Sequence, residues 1–151
     1  MTPLLEVRDL AVTFATDEGM VRAVDGVSFA LAPGRRLAIV GESGCGKSVT
    51  ALAIMRLLAE NAHAEGSVRL EGEEVLTAPE TRMRALRGGR IAMIFQEPMT
   101  SLNPALTVGD QIVEAIREHS RASPTEARAQ AIAWLARVRI PAPERRFDEY
   151  P

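Results

Sequence analysis

The chain has 151 residues, 46% of them hydrophobic and 25% charged, which suits one globular domain able to bury a core of its own. Its 18 basic and 20 acidic residues are interspersed and leave a formal charge of −2, so no broad basic face for nucleic acid is expected. One cysteine excludes a disulfide framework and points to a reducing cytoplasm; with neither a leader-like N-terminus nor 18 consecutive apolar residues, any membrane role is expected to come through a partner.

Residues 4–7, 11–14, 21–24 and 27–31 are short β-rich runs separated by Asp9, by residues 17–19, by Asp25-Gly26 and by Pro33-Gly34. Asp-Gly between two such runs is a hairpin signal, so the spacing predicts an antiparallel N-terminal layer, with Val12 and Phe14 on one face. Residues 37–40 then form a wholly apolar run, read as a buried strand. A turn holding Gly41, Gly44 and Gly46 follows, then Lys47 and Ser48. Residues 50–58 are apolar nearly all round and predict a buried helix.

Strand, glycine turn and helix match G-x-x-x-x-G-K-[ST] over residues 41–48, the spacing of a phosphate-binding loop. Glycine lets the backbone take positive φ and approach a ligand without a Cβ in the way. Successive N–H groups and the positive end of the helix then face an anion. Lys47 is placed to give phosphates a compact charge, and the Ser48 hydroxyl to ligate Mg2+. Of the 18 basic residues 17 are arginine, and the single lysine is Lys47, the one position where a planar fork would not fit a loop closed around phosphate.

Beyond a loop over residues 61–65, residues 66–70 and 74–76 predict a hairpin about Glu71-Gly72. Thr77 and Glu80 read as a capping box, with Pro79 in the first turn, for a short helix ending near Gly88-Gly89. Residues 91–95 are a second apolar run, read as a parallel strand with Met93 and Phe95 in the core. Residues 96–107 form a proline-containing loop of the kind that carries ligand-facing groups. Thr107 with Asp110, and Ser123 with Pro124 and Glu126, predict two helix starts. The first helix carries Val108, Ile112, Ala115, Ile116 and His119 at helical spacing, and the second carries Ala127, Ala131, Trp134, Leu135 and Val138, read as core of a helical lobe. Residues 140–151 read as a proline-punctuated connector.

VRAVDGVSF at residues 21–29, IVGESGCGKSVTALAIMRLL at 39–58, IAMIFQEPMTSLNPALTVGDQI at 91–112 and the tail RIPAPERRFDEYP together resemble the ATP-binding subunits of ABC transporters, most closely the branch importing dipeptides, oligopeptides and nickel. The resemblance implies an α/β fold: a P-loop NTPase core of ABC type, an antiparallel N-terminal β-layer and the start of a helical subdomain, truncated. It divides the chain into an incomplete ATP-binding core, residues 1–106, and the beginning of the helical subdomain with its connector, residues 107–151. It implies ATP and Mg2+ as ligands. The nucleotide set is Phe14, Gly41, Glu42, Ser43, Gly44, Cys45, Gly46, Lys47, Ser48 and Val49. Gln96 would reach Mg2+ and the attacking water and sense the γ-phosphate, with Ser48 and Gln96 as the metal contacts. Phe14 would replace the adenine-stacking aromatic, usually Tyr; the residues alone leave it open between that and a strand aromatic packed in the β-layer. Met99 and Leu102 could line the groove that receives a coupling helix.

The implied partners are transmembrane permease subunits, a second ATP-binding subunit in a homo- or heterodimer and, indirectly, an extracytoplasmic solute-binding protein, with no nucleic acid. The implied location is peripheral, on the cytoplasmic face of the inner membrane. In the family a tail like DEYP leads into the LSGGQ-type signature, then the Walker B Asp with its catalytic Glu and the switch His, none of which lies within these residues. ATP hydrolysis by this chain alone is therefore not expected, and apolar strands lacking partners predict poor solubility. Two other readings stay open: a non-catalytic nucleotide-binding or interaction fragment, and a soluble ABC ATPase associated with nucleic acid.

Overall fold

The computed structural model describes residues 2–95 and 101–151, and packing divides the chain into two units, Met1–Arg87 and Gly88–Pro151. In the first, β1 (Leu5–Thr16) and β2 (Gly19–Leu31) form a long antiparallel hairpin. With β3 (Ala62–Leu70) and β4 (Glu73–Glu74) they make a sheet ordered β2-β1-β3-β4.

The four short N-terminal strands read from the sequence are thus two long ones, and the hairpin expected at Asp25-Gly26 is not there. The register slips between Val7↔Phe29 and Leu10↔Val27, and again before Val12↔Val24. Asp9 (φ 47°) and Gly26 (φ 67°) sit in these slips as β-bulges. Bulges and turns draw on the same residue types, because both need positive φ. The Asp9 amide donates to Ser28 Oγ across the sheet at 2.8 Å, which fixes the first bulge, and the chain reverses at Asp17 and Glu18 instead. β3 absorbs most of the loop expected over residues 61–65, since His63 and Ala64 pair with Thr13 and Val12. The turn at Glu71-Gly72 is as read: both residues have positive φ, 54° and 87°.

Helix α1 (Lys47–Met55) packs on β1 and β2 through Thr50, Ala53, Ile54 and Met55. It is shorter than expected and buried on one side only; Leu57, past its end, is exposed. Helix α2 (Glu80–Leu86) closes the core with Met83 and Leu86. Its N-cap is Pro79 with no side-chain hydrogen bond, so the Thr77 capping box is not formed: the fixed φ of proline sets the helix start by itself.

Neither apolar run forms the expected core strand. Residues 37–40 lie outside any strand and have no ladder partner among the described residues, and Val40 is 88% exposed. Of residues 91–95 only Ile91 is paired; Ile94 is 93% exposed, Phe95 is also exposed and Met93 only half-buried. A strand of a parallel sheet is held by neighbours far away in sequence, and hydrophobicity alone does not supply them.

The second unit holds α3 (Val108–His119), α4 (Pro124–Arg137) and α5 (Pro143–Phe147) around Ile116, Ala127, Ala131, Leu135 and Phe147. Both helix starts are as read. Thr107 Oγ1 accepts from Asp110 N at 3.0 Å, and Ser123 and Glu126 form a reciprocal capping box. The expected connector contains α5, whose Phe147 fills the core beside Gly109, while Arg128 lies 4.0 Å over its ring. Trp134 is not core. It is 53% exposed, about 100° round the helix from buried Leu135, and Val138, the C-cap residue, is exposed too.

Candidate functional site

The site is built where the chain enters α1. Gly44 (φ 80°) and Gly46 (φ 89°) turn the backbone through conformations that L side chains disfavour. Gly46 is also sterically fixed, since a Cβ there would stand 2.5 Å from the carbonyl oxygen of Ala23 on β2. Gly46 is the N-cap of α1 and offers no side-chain acceptor, and there is no acidic residue in the first turn. The first main-chain donors of the helix therefore have no side-chain acceptor. Its first turn is locked from behind by buried Thr50, whose amide and hydroxyl both donate to Gly46 O, at 2.8 and 2.9 Å.

Lys47 folds its ammonium back into the loop. Nζ donates to Gly41 O at 2.8 Å and Glu42 O at 2.6 Å, and approaches Cys45 Sγ at 3.3 Å. The three donors of one ammonium thus hold both limbs of the loop. Cys45 is exposed, its amide donating to Glu42 O, and its sulfur occupies the space a Cβ on Gly41 would need. Ser43 is exposed at the apex of the turn, and Val49 is half-buried in the first turn of α1. Ser48 is exposed, and its hydroxyl has no hydrogen-bond partner among the described residues.

A hollow of about 120 Å³ opens here, lined by Gly44, Gly46, Lys47, Ser48 and Val49. A cradle of glycine amides, one cation and one hydroxyl fits an anionic ligand with an oxygen-bound metal. Among the described residues no cluster of three acidic, Cys or His residues could hold a metal alone.

Phe14 is half-buried on β1, between Val21 of β2 and Ala62 of β3. Its link to the loop runs along β2, where Ala23, two residues from Val21, backs Gly46. Gln96 and Met99 lie outside the described residues. Leu102 is exposed.

Two polar clasps were missed from the sequence. Gln111, on α3, accepts from Asn103 N at 2.9 Å and donates to the carbonyls of Asn103, Leu106 and Thr107, so one amide side chain shapes the 103–107 loop. Arg56 and Arg87 stitch the far end of α1. Arg87 is partly buried, and Arg82 is paired with Glu73. Guanidinium bonds to main-chain carbonyls have no sequence signature.

A family model described as ABC transporter matches residues 24–151. A putative peptide import ATP-binding protein of Brucella abortus is 53% identical over 150 residues, 99% of this chain and 45% of the relative. The oligopeptide transport ATP-binding protein OppD of Salmonella typhimurium is 48% identical over 148 residues, 98% of this chain and 44% of the relative. The chain thus spans about half the length of the curated relatives it matches. Among solved structures, a dimeric ATP-binding cassette in a post-hydrolysis state with ADP and Pi superposes with a TM-score of 0.82 at 23% identity, over 97% of this chain and 61% of that one. A bacterial Atm1-family ABC exporter with ATP bound gives 0.58 at 25% identity, over 98% and 23%.

Proposed function

This chain belongs to the ABC transporter family, and from that premise we propose that it is the nucleotide-holding half of an ATPase that energises import of peptides or a related solute. The observation that carries the reading is the Lys47 ammonium, held against the carbonyls of Gly41 and Glu42 in a loop that Gly44 and Gly46 turn through positive φ. The peptide import and oligopeptide transport ATP-binding relatives support the solute class.

In this reading the loop amides and Lys47 hold the β- and γ-phosphates. Gly41, Glu42, Ser43, Gly44, Cys45 and Gly46 form the wall, and Val49 supports the first turn. The Ser48 hydroxyl, in the first turn of α1, would hold Mg2+, which when bound neutralises phosphate charge. Phe14 stacks on the base, and Gln96 follows nucleotide state. Lys47 trades the carbonyls of Gly41 and Glu42 for phosphate oxygens of higher charge, an exchange of neutral acceptors for ionised ones. Positioning and charge stabilisation are what phosphoryl transfer asks of a protein. Residues 1–106 act as the ATP-binding core and residues 107–151 open the helical subdomain. The partners are permease subunits, a second ATP-binding subunit and, indirectly, a solute-binding protein, with the ATPase peripheral on the cytoplasmic face of the inner membrane.

Calorimetry with ATP and Mg2+ tests the binding step. Saturable uptake is expected, and no uptake by folded protein would overturn the reading. ATP turnover on mixing with the permease subunits separates an importer ATPase from a non-catalytic binding fragment.

A further inference from the structure

Helix α1 has two ends, and only one belongs to the phosphate loop. At the other, Arg87 sends Nε to Met55 O at 2.8 Å, Nη2 to Arg56 O at 3.0 Å and Nη1 to Glu80 Oε1 at 2.7 Å. Arg56, in the left-handed region at φ 52°, reaches the opposite way and donates to Val75 O and Ala78 O, with Glu80 3.6 Å away. The side chains of Arg87 and Arg56 are only 21% and 27% exposed. Two forked cations thus occupy four main-chain carbonyls and share one carboxylate, and Glu80 is held below the usual carboxylate range first by its hydrogen bond to Arg87. A planar fork spans several acceptors at once, which a lysine does not do.

Position in the chain gives this knot its consequence. A helix of nine residues is a stiff rod about 13 Å long, so its axial position is common to both ends. Arg87 is the last residue of the first unit, its own amide bonded to Met83 O, and the next residue begins the turn closed by Gly88 N donating to Ile91 O at 2.8 Å. From these contacts we infer that Arg87 is a positioning residue that couples the phosphate loop to the turn at residues 88–91. Ligand seated at Lys47 and Ser48 restrains α1, α1 restrains the guanidinium, and the guanidinium restrains the chain leaving the first unit. By reciprocity, loosening Arg87 weakens binding at the loop. The inference rests on the nucleotide reading of that loop.

The test is amide hydrogen exchange on the full protein with and without ATP and Mg2+, beside calorimetry, for the natural protein, Arg87→Lys and Arg87→Gln. In the natural protein, ATP is expected to slow exchange at Arg56, Leu57 and residues 88–91. Both substitutions are expected to abolish the slowing at residues 88–91 and to weaken ATP about 5-fold or more, with Lys failing despite its retained charge. Absence of slowing at residues 88–91 in the natural protein overturns the inference even where the variants do not fold. So does slowing that persists in Arg87→Lys. Absence of ATP binding in the natural protein overturns the loop reading, and the inference with it.

Discussion

Helices α1 and α4 begin in opposite ways. α4 starts at Ser123, whose hydroxyl accepts from Glu126 N while Glu126 returns a bond to Ser123 N, so the helix answers its own donors and ends its electrostatics there. α1 starts at Gly46 with no side-chain acceptor, no acidic residue in its first turn and a lysine at its first position. Each helix N-terminus carries orphan N–H groups and about half a positive charge. The α4 start uses side chains to neutralise them, whereas the α1 start adds a cation and leaves the donors without a side-chain acceptor. A helix start left this way is open to an anion from outside the chain.

The comparison breaks most directly at Lys47. Lys47→Ala removes a charge-assisted contact worth about 2–3 kcal/mol, on the order of a 100-fold loss of ATP affinity. Calorimetry checks it, and an unchanged affinity would mean that the α1 start is an ordinary turn. Next in size is Phe14→Ala. If the ligand is a nucleotide whose base lies on Phe14, the substitution costs about 1–3 kcal/mol of ATP affinity and leaves inorganic triphosphate binding as it was. Equal losses for both ligands would make Phe14 a packing residue of β1. Smaller again, Ser123→Ala removes the cap of α4 and lowers stability by about 1 kcal/mol, read as a shift in melting temperature, with ATP affinity unaltered.

What was legible from the sequence follows the same division between local and distant causes. The caps at Thr107 and Ser123 and the turn at Glu71-Gly72 are each complete within four residues, and the folded chain forms them as read. The loop over residues 41–48 was legible too, since its glycines answer to backbone geometry and to one neighbour, Ala23. Asp9 and Asp25-Gly26 misled because a bulge and a turn look alike in sequence, and only the register against β1 and β2 tells them apart. Residues 37–40 and 92–95 carry strand composition but have no ladder partner among the described residues, because strand pairing belongs to neighbours rather than to the run itself. Trp134 was misplaced by one helix position: Ala127, Ala131 and Leu135 set the buried stripe, and the largest apolar residue falls beside it.

The finest edge of the comparison is pH. At α4 the Ser123 hydroxyl and amide, in that order of importance, hold Glu126 below the ordinary glutamate value of 4.5. A folded-state value below the unfolded one stabilises above the ordinary value and is lost as pH falls through the folded value. At neutral pH the natural chain is therefore expected to outlast Glu126→Gln in thermal melts. The gap should narrow below about pH 4.5 and close under the folded value. Glu149, lowered by Arg146 and Arg145, titrates in the same window but is common to both chains, so the difference between them isolates the cap. The α1 start has no carboxylate in its first turn and so no counterpart to this acid-side loss; its own pH dependence is expected only with ATP present, through the phosphates. A gap that stays constant down to pH 3 would show that Glu126 contributes to α4 by shape rather than by charge, and would remove the electrostatic half of the contrast with Lys47.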